Sequence, residues 1–276
     1  MSATTAPSPA GARRTIESIV VGVLAGFLAG LFGVGGGILM VPALVMVMRM
    51  DQRLAHGTSL AAVVPIAISS TVSYAISGEI DWVVVGWLAL GAVGGAVVGT
   101  HLLANLSQRV LGVTFAALLL ATAVRLVIDQ SAASGRGTLG VLGAVVLVAT
   151  GLASGVIAGL LGVGGGIVMV PVMVVGFDMS TALAKGSSLA VIIPTALMGT
   201  WRNLRNDNVD LRVAVVSGLA GVISAFLAGL LSVGMSDALS NTLFAILLVV
   251  VALRMVWQLW REPAEVEEIE DTDTVG

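Results

Sequence analysis

The sequence predicts an all-α, polytopic integral membrane protein of eight to ten transmembrane segments, made of two repeats whose helices break at glycine-rich motifs. Three observations lead there. The 276 residues are 57% hydrophobic and 11% charged, with a mean hydropathy of +1.06, whereas soluble domains carry about 25% charge. A soluble core of this size cannot hide so much apolar surface. Apolar runs of bilayer-crossing length recur along the chain, and one thirteen-residue stretch occurs twice, with 11 of 13 positions identical.

From the N-terminus, residues 1–15 read as a disordered tail rich in Ser, Thr, Ala and Pro, ending at Arg13-Arg14. No small-residue cleavage site closes a short apolar core after them, so the first apolar run is a transmembrane segment and not a removable signal. The first membrane repeat covers 16–128, a linker 129–137, the second repeat 138–260, and an acidic, disordered tail 261–276. Seven acids between Glu262 and Asp273 make that tail a solvated end. The net charge of −3 therefore says little about the membrane part.

The apolar runs fall at 18–48, 54–77, 82–104, 108–128, 138–176, 182–201, 211–232 and 237–260. Most suit the ~20 residues that cross a bilayer. Ser18–Met48 and Thr138–Gly176 are too long: as single helices they would extend about 46 and about 58 Å, against a hydrocarbon core of ~30 Å. Each contains one copy of the glycine motif, which predicts two helices meeting at Gly33–Gly37 and at Gly162–Gly166.

The duplication is wider than the motif. Pro42 and Pro171, Gly57 and Gly186, Pro65 and Pro194, Asp81 and Asp210, Phe115 and Phe244, and Arg125 and Arg254 all share an offset of 129 residues. Repeats of this kind mark transporter folds with a site between the halves. If each long segment counts as one crossing, Lys and Arg divide nine against four. If each is a hairpin and the repeats are inverted, they divide ten against three. Both arrangements put the two termini in the cytoplasm. The charges leave parallel and inverted repeats open; inverted repeats with discontinuous helices are the expectation, because they bring two broken elements face to face.

The motif Gly33, Gly35, Gly36, Gly37 and its copy Gly162, Gly164, Gly165, Gly166 provide the flexible backbone that a break requires. Broken backbone survives in lipid only where protein or water covers it. A helix starting near Gly37 or Gly166 would aim free N–H groups and its positive dipole end into such a place, where they bind anions without a fixed full charge. Small-residue packing between helices is the competing reading. Two copies, each in an over-long segment and each followed by a proline five residues after the last glycine, favour a lined site.

A second repeated element keeps its hydroxyls while its apolar residues drift: Thr58 and Ser59 in one copy, Ser187 and Ser188 in the other. They could donate to anion oxygens, or they could hold helices together. Just before them stand His56 and Lys185, candidates for drawing in an anion, with His56 also a candidate carrier of a coupling proton; solvated interfacial heads are the alternative. Asp81 and Asp210 open helices as dipole partners. Arg125 and Arg254 read as snorkelling anchors, and Trp82, Trp87, Trp201, Trp257 and Trp260 as an interfacial belt.

The chain contains no cysteine, which excludes disulfides and thiolate metal sites. No carboxylate cluster suggests a metal, no nucleophile–base set suggests an enzyme, and no cofactor or nucleic-acid partner is expected. At the doubled Gly-x-Gly-Gly-Gly-x-x-x-x-Pro pattern, Gly33–Pro42 and Gly162–Pro171, and at the Gly-Thr/Ser-Ser pairs after it, the chain resembles the sulfite exporter TauE/SafE family of the toluene sulfonate uptake permease group. The resemblance covers about residues 16–260. It implies a prokaryotic cytoplasmic-membrane permease for sulfite, sulfonates or other organosulfur anions, working by a secondary mechanism; members differ widely in substrate. A channel or transporter for another solute, cations included, and a non-transporting assembly protein are the alternatives.

Overall fold

The computed structural model describes residues 9–102, 108–128, 139–162 and 164–261. Residues 1–8, the linker expected over 129–137 and the acidic tail from 262 lie outside them, as do the side chains of Arg254, Trp257 and Trp260. The described chain forms ten helices: α1 Pro9–Phe32, α2 Gly37–Met46, α3 Gln52–Ile76, α4 Trp82–Leu102, α5 Gln108–Ile128, α6 Val141–Leu161, α7 Gly166–Phe177, α8 Thr181–Arg205, α9 Leu211–Gly234 and α10 Asp237–Arg261. No strand occurs among the described residues. α1 begins at Pro9, inside the stretch set apart as the N-terminal tail.

Five helices, α1, α3, α6, α8 and α9, contain stretches long and apolar enough to cross a membrane. α2 has 10 residues and α7 has 12, so they reach only about 15 and 18 Å, roughly half of the ~30 Å hydrocarbon core. Each over-long apolar run is thus a full helix followed by a half helix. Position by position, α1–α5 correspond to α6–α10.

Helix direction follows from which residues touch. Along α1, Gly22, Gly26 and Gly30 meet Ser217, Gly221 and Ala225 of α9 in the same order, so these helices run parallel. The corresponding pair repeats this: Gly91 and Gly95 of α4 meet Val148 and Leu152 of α6. Glycine allows such backbone-to-backbone approach between membrane helices.

The decisive pair is α3 and α8, which are copies of one another. Gly57 near the start of α3 meets Asn203 at the end of α8 and Asn208 just beyond it, while Gly186 near the start of α8 meets Tyr74 at the end of α3 and Glu79 just beyond it. A helix lying antiparallel against its own copy requires a pseudo-two-fold axis across the helix direction. The repeats are inverted, which the Lys and Arg counts alone left open.

The two ends of the bundle differ in charge. Arg13 and Arg14 on α1, Arg49 and Arg53 around the start of α3, Arg202 and Arg205 on the last turn of α8, and Arg212 on α9 gather at one end. At the other stand Arg125 and Lys185; Arg125 donates to the Val175 carbonyl and pairs with Asp178 just ahead of α8. Side chains from α3, α4, α7, α8 and α10 form the larger apolar core, with Tyr74, Leu88, Met169, Leu189 and Phe244 fully buried. Trp82, Trp87 and Trp201 are exposed on the outside of the bundle, as an interfacial belt requires.

Candidate substrate site at the paired glycine turns

The breaks between helices fall at the predicted glycines, and the two turns are copies in detail. Gly33, Gly35 and Gly36 have φ of 70, 85 and 72°, and Gly162, Gly164 and Gly165 have 66, 84 and 78°. All six lie in the left-handed region, which residues with a Cβ avoid. Gly36 and Gly165 are the N-caps of α2 and α7, and neither offers a side chain to cap the helix. The first capping bonds reach Gly36 from Leu39 and Met40, and Gly165 from Val168 and Met169. The amides of Gly37 and Ile38, and of Gly166 and Ile167, precede those bonds, at the end where a helix leaves its first donors without intrahelical partners.

Both turns are buried, and each seats on a helix of the opposite repeat. A Cβ on Gly33 would come 2.6 Å from Lys185 Cα on α8, and one on Gly162 would come 2.9 Å from His56 Cα on α3. The turns also approach each other. A Cβ on Gly166 would lie 2.8 Å from the Gly33 carbonyl oxygen and 2.7 Å from Ser188 Oγ. Gly164 and Gly166 both face Ile192, midway along α8, so α7 starts near half depth and its N-terminus abuts the partner turn.

The four hydroxyls selected from sequence separate into two roles. Thr58 Oγ1 accepts the N–H of Asp210 at 2.9 Å, and Ser187 Oγ accepts the N–H of Asp81 at 2.9 Å. These two are joints between repeats at opposite ends of the bundle. Each aspartate in turn caps its own helix: Asp81 accepts from Val83 and Val84, and Asp210 from Val213. Ser59 Oγ donates to the Gly162 carbonyl at 2.9 Å and so ties down the second turn. Its copy Ser188 is fully buried, and its Oγ has no hydrogen-bond partner.

Lys185 is 1% exposed. Its Nζ donates to Ser240 Oγ at 2.9 Å and Ser232 Oγ at 3.4 Å, and lies 5.3 and 6.0 Å from the ring centroids of Phe244 and Phe32. Ser232 and Ser240 had no repeat signal in the sequence, because their repeat copies are Leu103 and Leu111. Ser154, whose Oγ donates to the Gly165 carbonyl at 2.7 Å, was missed for the same reason: its copy is Ala25. In the loop between α3 and α4, burial pushes the Glu79 carboxyl above its ordinary range, and the charge of Asp237 adds to the rise. A separate pocket of about 60 Å³ lies at the arginine-rich end among Arg14, Ser18, Asp210 and Arg212, away from the turns. The described residues contain no cluster of metal-ligating side chains.

The family described as Sulfite exporter TauE/SafE matches residues 18–149 and again 147–274, once for each repeat. A Xylella fastidiosa (strain Temecula1) protein named "Probable membrane transporter protein" is 30% identical over 260 residues, spanning 89% of this chain and 98% of the relative. Another so named, from Haemophilus influenzae, is 27% identical, over 86% and 96%. The Bacillus subtilis "Probable membrane transporter protein YunE" is 24% identical over 264 residues, or 87% and 95%. No solved structure matches the chain. With a doubled family match and an inverted pair of broken-helix repeats, the chain is a multi-pass membrane transporter and belongs to the sulfite exporter TauE/SafE family.

Proposed function

We propose that the protein moves a small oxyanion, of the sulfite, sulfonate or other organosulfur class, across the cytoplasmic membrane by a secondary mechanism, with the anionic head held at the glycine turns. The observation that carries this reading is the Ser188 hydroxyl. It is fully buried, without a hydrogen-bond partner, and set against the glycine-capped start of α7. A buried polar group left unsatisfied costs about 1–3 kcal/mol, so a donor is kept there against a penalty. Beside it, the Gly166 and Ile167 amides supply further donors and a positive dipole end. Together they make a donor-rich spot with no fixed negative charge.

The arginine-rich end faces the cytoplasm in this reading, by the positive-inside rule. The organosulfur class rests on the family's description. Alternating access would rock one repeat against the other around the paired turns.

The test is flux of radiolabelled sulfite and sulfoacetate into liposomes holding the purified protein. Wild-type protein should give saturable uptake that Gly36→Leu and Gly165→Leu reduce strongly. Unchanged uptake by folded variants would remove the turns from the site. Cation flux without anion flux would overturn the substrate class.

A further inference from the structure

The two repeats agree closely in backbone, yet one fully buried lysine breaks the symmetry. Lys185 lies on α8 one turn before Ser188, and the Gly33 turn packs on its stem. The groups around its ammonium are neutral: two serine hydroxyls and two phenyl rings. Phe32 and Phe244 stack with centroids 6.3 Å apart. Among the described residues no carboxylate comes within ion-pairing distance of its Nζ. Hydroxyl oxygens and ring faces stabilise a cation without cancelling its charge. An intramembrane charge left uncancelled is costly, and in transporters such charges mark substrate or ion pathways.

We propose that Lys185 supplies the compensating charge for the transported anion, so that the site is one-sided although the fold is two-fold. This rests on the anion-transport reading above. Lys185 and the unpartnered Ser188 are linked through the Gly33 turn. The Gly33 turn lies on the Lys185 stem, and the Gly33 carbonyl lies against Gly166, where the unpartnered Ser188 hydroxyl also points. An oxyanion at the start of α7 would take N–H donors from the helix end and one O–H from Ser188; Lys185, whose backbone lies one helical turn from Ser188 while its ammonium points to Ser232 and Ser240, would act on it through charge rather than contact.

The other repeat cannot build the same arrangement. Lys185 is replaced by His56, Ser232 by Leu103, Ser240 by Leu111 and Phe32 by Leu161. Ser59, the copy of Ser188, is already committed to the Gly162 carbonyl. The ligand class is therefore a small oxyanion that binds in its ionised form, and neutral isosteres are excluded by leaving the ammonium unmatched.

The test is concentration-dependent uptake of radiolabelled sulfite and sulfoacetate by the full chain in liposomes. Lys185→Met should raise the half-saturating concentration roughly tenfold or more, as loss of a nearby compensating charge away from water does. The maximal rate should fall less, and Lys185→Arg should recover part of the affinity. His56→Gln should raise it by a smaller factor. Half-saturation unchanged in Lys185→Met would overturn the proposal, and an equal loss in His56→Gln would overturn its one-sidedness. If Lys185→Met does not fold, the double variant Ser232→Ala, Ser240→Ala carries the same test: a several-fold rise is expected, and no change refutes it. Wild-type protein that moves neither anion would refute the transport reading, and this proposal with it. Wild-type uptake with an indifferent Lys185 would refute only this proposal.

Discussion

Thr58 Oγ1 accepts the Asp210 amide at 2.9 Å, and the same bond recurs between Ser187 and Asp81, 129 residues further along in one partner and 129 back in the other. Each repeat therefore hands one hydroxyl to the first turn of a helix in the other. These joints sit at opposite ends of the α3–α8 pair, where Gly57 and Gly186 also touch the loop backbone that follows the other helix.

Thr58→Val and Ser187→Val should each destabilise the protein by about 1–2 kcal/mol, because a part-buried backbone N–H loses its acceptor. Thermal unfolding in detergent checks this. The two sites lie far apart, so the double variant should lose about the sum; a strongly sub-additive result would mean that the joints act as one unit.

Gly57→Ala and Gly186→Ala should be more damaging. A Cβ at either position would stand 2.0 Å from a carbonyl oxygen, of Asn208 or of Glu79. Both oxygens belong to backbone, so the loop carrying each must shift off the facing helix, at a cost of about 1–3 kcal/mol or more. Gly86→Ala is the control. Nothing lies within 4 Å of a Cβ there, and the change should stabilise α4 by about 0.5–1 kcal/mol. Folded yield and melting temperature distinguish these outcomes.

Ser188→Ala and Ser59→Ala should have opposite profiles. Ser59 loses a buried bond to the Gly162 carbonyl, and stability should drop by about 1 kcal/mol. Ser188 has no bond to lose, so its alanine variant should melt at the wild-type temperature or above. Its half-saturating sulfite concentration should nevertheless rise by roughly fivefold, the equivalent of one hydrogen bond. A stability loss in Ser188→Ala would show a structural partner instead.

Glu79 gives a pH test. Its carboxyl is raised by burial and by Asp237, so in this range the folded state binds a proton more tightly than the unfolded state. Stability from this group is full below the ordinary carboxylate range and is lost as pH rises through the elevated value. Glu79→Gln should therefore raise the melting temperature relative to wild type at pH 7 and change it little at pH 4. An equal effect at both would assign the gain to something other than ionisation.

The membrane class, the duplication and both helix breaks were legible because they depend on local sequence. Apolar run length is set by bilayer thickness, and a glycine cluster inside a run too long to cross favours a turn over simple packing. Asp81 and Asp210 were likewise readable, since a carboxylate before an apolar run caps the helix that follows. The hydroxyl pairs were found but their tasks were not: Thr58, Ser59 and Ser187 hold the repeats together, and only Ser188 is left unpaired. Ser154, Ser232 and Ser240 gave no repeat signal, because each aligns with an apolar residue in the other copy.

By itself the sequence determined that two similar halves cross a membrane and that each contains one broken helix. Tertiary structure decided that the halves are inverted, that the turn of one rests on the helix of the other, and that Lys185 is sealed among neutral groups. The reason is physical. Hydrophobic length and glycine placement act within a segment, whereas helix direction and the fate of a hydroxyl or an ammonium depend on which distant segment packs against it.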